Sequence, residues 1–405
     1  MVLFFEFMGF VSALALMHTY IVYPYHMKLL AKKPQNWEPI EEFPFVLILM
    51  AARNEEAMIQ TKIKSIFRSK YPKSLIKVVV GTDACTDNTD NIMKTLCEEY
   101  PSLYHRSFPH RTGKPEIINT LFREFPPKNE GTILVLTDVD ALFEENTLAE
   151  LILPFANSEI TGVQAHIKPA ISQKCLNSNS YFFENRYMQK EMLTKKGESA
   201  KGRVIGGYGA LIALRHHLFL PSPTGLIVDD FYWFANLLFL SKSRVVFAEN
   251  AIARMSLESN EEVQFRRKRR LGKGNLQNFW IFHSLMFQKS TAYYYISHKV
   301  LRWFSPWLIL FAYLGWLAAL IKILTSFNAA ESLKLGLLAG TATPLLLLMI
   351  SRITARHERR ALYIGALGYF FKMNFAVIMG SFDFVMNKNS NVWWDNKITI
   401  DKRKA

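Results

Sequence analysis

Apolar positions along this chain follow three patterns. Residues 7–25 are almost continuously apolar, about the length that crosses a hydrocarbon core of roughly 30 Å. From residue 45 to 136, short apolar runs alternate with stretches of helical spacing. Residues 45–50, 76–80 and 132–136 read as buried strands, while Ile59, Ile63, Ile66 and Phe67, then Ile92, Leu96 and Tyr100, then Ile117, Leu121 and Phe125 recur at helical spacing. Pro72, Pro101 and Pro126 stand just past the three ends, where proline stops a helix. Strands alternating with helices predict an α/β fold with a mostly parallel sheet. Three further apolar blocks, 303–323, 335–350 and 361–385, follow toward the C-terminus.

Charges flanking these blocks suggest a topology. Lys28, Lys32 and Lys33 follow the first block and no positive region precedes it, so it reads as an anchor rather than a cleaved signal, with a cytoplasmic domain after it. The basic stretch 352–360 is expected to stay in the cytoplasm as well. Lys388, Lys397, Lys402, Arg403 and Lys404 flank the last block, which therefore either spans the bilayer, dips into it or lies at its interface. Lys372 and Asn374 in its middle either snorkel or line a polar path. Residues 278–287 interleave aromatics with few charges and read as an interfacial helix, a buried core helix being the alternative. The expected organisation is an anchor at 1–30, a cytoplasmic catalytic domain at 40–277, an interfacial region at 278–300, C-terminal transmembrane segments at 301–386 and a polar tail at 387–405.

Composition adds partners and compartment. A net charge of +15 suits an anionic leaflet and an anionic small molecule. Basic residues cluster beside the apolar blocks and at 266–270, without a nucleic-acid module, so nucleic acid is not an expected partner. Cys85, Cys97 and Cys175 are odd in number and lack metal spacing, which fits reduced thiols. An integral protein of a bacterial inner membrane is the resulting expectation.

Candidate chemistry gathers at the carboxyl ends of the strands, where open parallel sheets bind ligands. Arg53-Asn54-Glu55-Glu56 follows the first strand, Asp83 the second, and Asp138-Val139-Asp140 the third. An Asp-x-Asp at a strand edge offers two hard oxygen ligands on one face, which suits a divalent cation holding a diphosphate. A second acidic pair, Asp229-Asp230, lies far downstream. Asp87-Asn88-Thr89 reads as a helix start rather than a ligand set. No glycine fingerprint follows the first strand and no phosphate loop is present, which disfavours a dinucleotide dehydrogenase or a P-loop ATPase.

With these elements in this order, the chain resembles the membrane-bound inverting GT-A glycosyltransferases that include hyaluronan, chitin, cellulose and poly-N-acetylglucosamine synthases. The resemblance implies that Asn54, Glu55 and Asp83 hold the uridine, that Lys114 of Gly113-Lys114 lies near the nucleotide, and that Asp140 is the direct metal ligand with Asp138 nearer the ribose or metal. Ile227-Val228-Asp229-Asp230 resembles the element whose final carboxylate is the general base, which implies that role for Asp230 with Asp229 beside it. Gly206-Gly207-Tyr208-Gly209-Ala210 resembles the acceptor-lining segment, through Gly207 and Gly209. The run 264–277 resembles the Gln-x-x-Arg-Trp element. One register places Arg267, Arg270 and Leu271 at its Gln, Arg and Trp positions; a register three residues earlier uses Gln264, Arg267 and Lys268. The first implies that Arg270 stabilises the leaving diphosphate, and neither supplies the tryptophan that stacks on the acceptor, which puts processivity in doubt. Trp393-Trp394 resembles the aromatic end element of some synthases. The expected reaction, with Mg or Mn, moves glucose or N-acetylglucosamine from a UDP-sugar to a growing β-linked polysaccharide. The alternatives are one addition to a lipid or lipid-linked glycan, or a catalytically silent membrane scaffold. Membrane lipids are expected partners, and an accessory subunit is left open.

Overall fold

The computed structural model describes residues 2–33, 35–170, 179–240, 242–256, 260–325 and 362–386. The apolar block 335–350, the basic stretch 352–360, Cys175, Trp393-Trp394 and the polar tail lie outside the described residues.

Apolar alternation from residue 45 onward becomes a helix-covered sheet. Two N-terminal helices, α1 (Val2–Met17) and α2 (Tyr23–Leu30), precede β1 (Val46–Ala52), α3 (Ile59–Phe67), β2 (Ile76–Asp83), α4 (Thr89–Glu99), β3 (Leu103–Phe108), α5 (Lys114–Glu124) and β4 (Ile133–Thr137). Residues Val46, Leu47, Ile48, Leu49 and Met50 are all fully buried, as expected for a parallel strand covered on both faces. Then follow β5 (Ala141–Phe143), α6 (Thr147–Ile152), β6 (Ile160–Pro169), α7 (Asn179–Ser199), β7 (Leu211–Arg215), α8 (Asp229–Phe239), β8 (Arg244–Met255) and α9 (Glu261–Phe282). The eight strands form one sheet in the order β3-β2-β1-β4-β7-β6-β8-β5. β1, β2, β3 and β4 pair in parallel, whereas β7 runs antiparallel to β4 and places Leu211 opposite Thr137. This reversal brings the glycine-bearing loop 206–210 to the carboxyl end of β4, beside Asp138 and Asp140.

Among the described residues two helices are long and apolar enough to cross a membrane, Leu3–Leu30 and Ser305–Ile323; the second lies in α10 (Ser305–Thr325). Their contact is made by glycines: a methyl on Gly9 would stand 2.7 Å from Gly315 Cα, so the two backbones touch. The apolar block 361–385 forms one continuous helix, α11 (Leu362–Val385), packed along α9. Here too glycine sets the spacing, since a methyl on Gly272 would stand 2.6 Å from the Val377 carbonyl. Arg269 donates two hydrogen bonds to Asp383, at 2.6 and 2.8 Å. Lys372 pairs with Glu261 at 3.0 Å and Asn374 donates to the Phe370 carbonyl, so within α11 both polar groups have local partners.

The expected boundary at 277/278 falls inside α9. Of the expected interfacial helix, Asn278, Ile281, Phe282 and Leu285 are buried, whereas Trp280, His283 and Phe287 are exposed. The buried alternative therefore describes one face of this segment, because its apolar side meets Phe231, Tyr232 and Phe239.

Candidate active site

Asp138-Val139-Asp140 occupies the turn between β4 and β5. The Lys114 ammonium, at the start of α5, donates to Asp138 Oδ1 at 2.6 Å. Burial works against this cation, yet Asp138, Asp229 and Asp230 around it hold its pKa above the ordinary lysine value. Burial, and then neighbouring Asp138, push the Asp140 carboxyl up, against the opposing charges of Lys62 and Arg267. Glu55 is raised by burial and by Asp140, Asp138 and Asp87, which brings it to the same acidic centre.

Asp229 and Asp230 open α8, and three elements hold them there. Asp230 Oδ2 accepts from Gly209 N at 2.8 Å, Oδ1 accepts from Phe231 N at 2.7 Å, and the Asp230 carbonyl accepts from Gly207 N at 3.2 Å. The glycines ease this approach: a methyl on Gly207 or Gly209 would stand 3.1 or 3.2 Å from an Asp230 oxygen, close enough to push it by a few tenths of an ångström. From α9, Gln277 accepts from Ile227 N and Asn278 donates to the Val228 carbonyl, which fixes the chain just before the pair. Asp229 is buried, and its pKa is raised by that burial and by Asp230 and Asp138, against Lys114.

α9 presents Arg267 rather than Arg270 to this centre. The Arg267 guanidinium pairs with the Tyr208 hydroxyl and feels Glu184 and Asp140, which together outweigh burial and raise its pKa. Arg270 is exposed and makes no ion pair with the described residues. Leu271 is half-buried. Of the two arginines expected near the diphosphate, Arg267 is thus the one in contact with Tyr208 and in the field of Asp140.

The expected nucleotide-binding residues are tied mainly to each other's loops. Asn54, at a left-handed φ of 53° that asparagine tolerates, exchanges hydrogen bonds with Thr86. Glu55 N donates to Thr89 Oγ1, and Asp87 Oδ1 accepts from Thr89 N, which matches the expected helix start. Asp83 is buried and accepts from Arg111 at 2.5 Å, Thr112 N at 2.7 Å and Gly113 N at 3.2 Å. Its carboxylate thus folds the 111–113 loop and aims Lys114 at Asp138.

Sequence reasoning missed Lys62, Arg111, Tyr208 and Glu184. Lys62 lies on the buried face of α3 and carried a visible signal, a lysine at i+3 from Ile59 and i−4 from Ile66 within an apolar stripe. Burial lowers its pKa to about 7, although Asp138 and Asp140 favour its charge. Arg111 and Glu184 gave no signal, since their partners are remote in sequence, and Tyr208 was named only as part of the segment 206–210 with no role of its own.

The residues present fit a divalent cation. Asp138, Asp140 and Glu55 are hard oxygen donors; burial first, and then their mutual repulsion, raises the pKa of Asp140 and Glu55, and a cation would offset that repulsion. Among the described residues no three His, Cys, Asp or Glu side chains are grouped closely enough to hold a metal ion by themselves, so the remaining ligands would come from substrate and water. The cleft therefore combines acidic groups able to hold a cation, cations able to meet a diphosphate, and a separately held carboxylate able to take a proton.

Comparison with known proteins agrees with this arrangement. The Beta-monoglucosyldiacylglycerol synthase of Nostoc sp. is 30% identical over 170 residues, covering 42% of this chain and 34% of that protein. The Probable glycosyltransferase YdaM of Bacillus subtilis is 26% identical over 166 residues, covering 40% of this chain and 39% of that protein. The matched region thus spans little more than a third of these relatives' lengths. Among solved structures, the mannosyltransferase PcManGT from Pyrobaculum calidifontis in complex with GDP-Man and Mn2+ superposes with a TM-score of 0.65 at 20% identity, over 95% of this chain and 99% of that one, and so shares the fold. The family described as Glycosyltransferase like family 2 matches residues 44–274, more than half of the chain. The chain belongs to that family and has the GT-A fold.

Proposed function

We propose that this chain transfers one hexosyl group, with inversion, from a nucleoside-diphosphate sugar to a lipid or lipid-linked acceptor at a membrane surface. The observation that carries this reading is the double role of α9. One side presents Arg267 to the acidic cleft; another lies in backbone contact with α11 through Gly272 and Gly380. An acceptor bound beside Arg267 therefore sits where the catalytic domain meets an apolar helix.

In the proposed reaction Asp230 takes the proton of the acceptor hydroxyl as its oxygen bonds to the anomeric carbon and the bond to the diphosphate breaks. Lys114 and Arg267 meet the charge that develops on the departing nucleoside diphosphate. Asp138 and Asp140 would hold Mg or Mn, which supplies further neutralisation of that diphosphate.

The polysaccharide expectation differs in the number of additions. Single addition is favoured because neither register of the 264–277 run supplies the tryptophan that the processive synthases carry, Lys268 taking its place in the register that uses Arg267 as its arginine, and because the α9–α11 contact leaves no polymer-wide gap between those helices. The Nostoc relative's name, a glucosyldiacylglycerol synthase, supports a lipid acceptor, and the GDP-Man complex of the Pyrobaculum enzyme adds GDP-sugars to the donors worth testing beside UDP-sugars. The test is nucleotide release by the detergent-purified protein with a panel of UDP- and GDP-sugars, Mg or Mn, and extracted lipids, with product mass read from the same reactions. A lipid heavier by one hexose supports the proposal and a ladder of long products overturns it. Absence of turnover with every donor would favour the scaffold.

A further inference from the structure

We propose that Lys62 is a positioning residue for the Asp138–Asp140 turn: its buried ammonium ties the two ends of the turn together and so sets how the two carboxylates meet the donor's cation. The inference rests on the reading that these carboxylates bind a nucleotide through a divalent ion.

Lys62 has no exposed surface. An apolar side chain would complete the stripe of Ile59, Ile63 and Ile66 without the desolvation cost that a buried ammonium carries, so packing alone does not account for a lysine here. What the ammonium contacts does account for it. Nζ donates to Thr137 Oγ1 at 2.8 Å and to the carbonyl of Ala141, the residues immediately before and after Asp138-Val139-Asp140. The Phe143 ring lies 4.1 Å from Nζ and covers it from the side.

The tie extends beyond the turn. Thr137 Oγ1, which accepts from Lys62, donates to the Ala210 carbonyl at 2.8 Å, and the neighbouring Gly209 N donates to Asp230 Oδ2 at 2.8 Å. A line of hydrogen bonds therefore runs from α3 through the base of the Asp-x-Asp turn to the proposed proton acceptor. Lys62 bonds to neither Asp138 nor Asp140 directly, so it acts through the backbone that carries them.

The test is equilibrium binding of UDP and of GDP to the full-length protein, with and without Mn2+, by titration calorimetry. Wild-type protein whose nucleotide affinity is unchanged by Mn2+ would overturn the underlying donor-site reading before any variant is made. Given a metal-dependent increment in the wild type, Lys62→Met is expected to lose about tenfold of it, the scale seen when partners of metal ligands are removed, with metal-free affinity within about twofold. Thr137→Val, which keeps the volume and removes the hydroxyl link, is expected to lose about threefold. Ile66→Val, a packing change on the same helix, is expected to lower Tm and leave the increment intact. A Lys62→Met protein with the full increment, or one that loses metal-free binding equally, overturns the proposal. If Lys62→Met does not fold, an undiminished increment in Thr137→Val overturns it instead.

Discussion

Gly274→Ala isolates what α9 does for Asp230, the proposed general base. A methyl on Gly274 would stand 2.6 Å from Val228 Cγ2 and 3.0 Å from Ile227 Cβ, where carbon atoms normally settle at roughly 3.5–4.0 Å, so something must move by about 1 Å. α9 cannot easily retreat. Gly272, two residues and so about 200° away around the helix, already faces the Val377 carbonyl, which a methyl there would meet at 2.6 Å. The displacement therefore falls on residues 227–228, tied to Gln277 and Asn278 and immediately before Asp229-Asp230. Stability changes little, because replacing glycine in a helix gains about 1 kcal/mol while overpacking costs about 1–3 kcal/mol. Catalysis is more sensitive: misplacing a reacting group by about 1 Å costs on the order of 100-fold. Steady-state kinetics with thermal unfolding should show kcat down by about 10- to 100-fold, donor KM nearly unchanged and Tm within a few degrees. Wild-type kcat with a raised Tm would refute the reasoning, since α9 would then not be the wall that fixes the base.

Asp230→Asn should reduce kcat by about 100- to 10,000-fold while nucleotide binding persists in calorimetry; a fully active variant would remove Asp230 from its proposed role. Arg267→Ala should lower kcat about 100-fold, whereas Arg270→Ala should stay near wild type, and the reverse ranking would restore the register that places the clamp at Arg270. Glu191 is buried, and although burial opposes its charge, His298, Lys299 and Arg302 hold its pKa well below the usual 4.5; Glu198, facing His298 and Lys195, is lowered in the same sense. A carboxyl depressed in the fold binds fewer protons there than in the unfolded chain, so its stabilisation is present above about pH 4.5 and lost as pH falls through the folded value. Tm should therefore drop on acidification below that point, and Glu191→Gln should lower Tm at neutral pH and flatten the acid limb; an acid limb identical to wild type would refute the assignment.

The parallel half of the sheet was legible because both its faces are covered, so each strand reads as an unbroken apolar run. β3 escaped notice as an edge strand, with Tyr104 and Arg106 exposed and too little apolar periodicity to stand out. The mixed half, in which β7 runs antiparallel to β4 and β6 while β6 and β8 are parallel, was hidden for a different reason. β7 reaches the end of β4 from 74 residues downstream in the register Thr137 to Leu211, and nothing local in either segment encodes that pairing. The same limit explains the site. Asp138, Asp140 and Asp230 could be selected as acidic groups at element ends, but that Asp83 would fold the Arg111–Gly113 loop depended on a contact 28 residues away.

The basic run of α9 shows why charge composition alone could not assign these residues. Read as a string, Arg266 to Arg270 suits a lipid surface or a diphosphate equally well. Wound at about 100° per residue, the charges diverge. Arg267 contacts Tyr208 at the acidic cleft, Lys268 pairs with Glu184 of α7 at 3.2 Å, Arg269 binds Asp383 of α11, and Arg266 and Arg270 make no ion pair among the described residues. Glu184 also accepts from Tyr369 of α11, so α7, α9 and α11 are joined through one carboxylate beside Arg267. The helix that meets the proposed donor diphosphate is thus held by the same side chains that bind it to the apolar C-terminal helix. A rotation of α9 that released Asp383 would also turn Arg267 away from Asp140, which makes the catalytic alignment and the seating of α11 a single geometric condition.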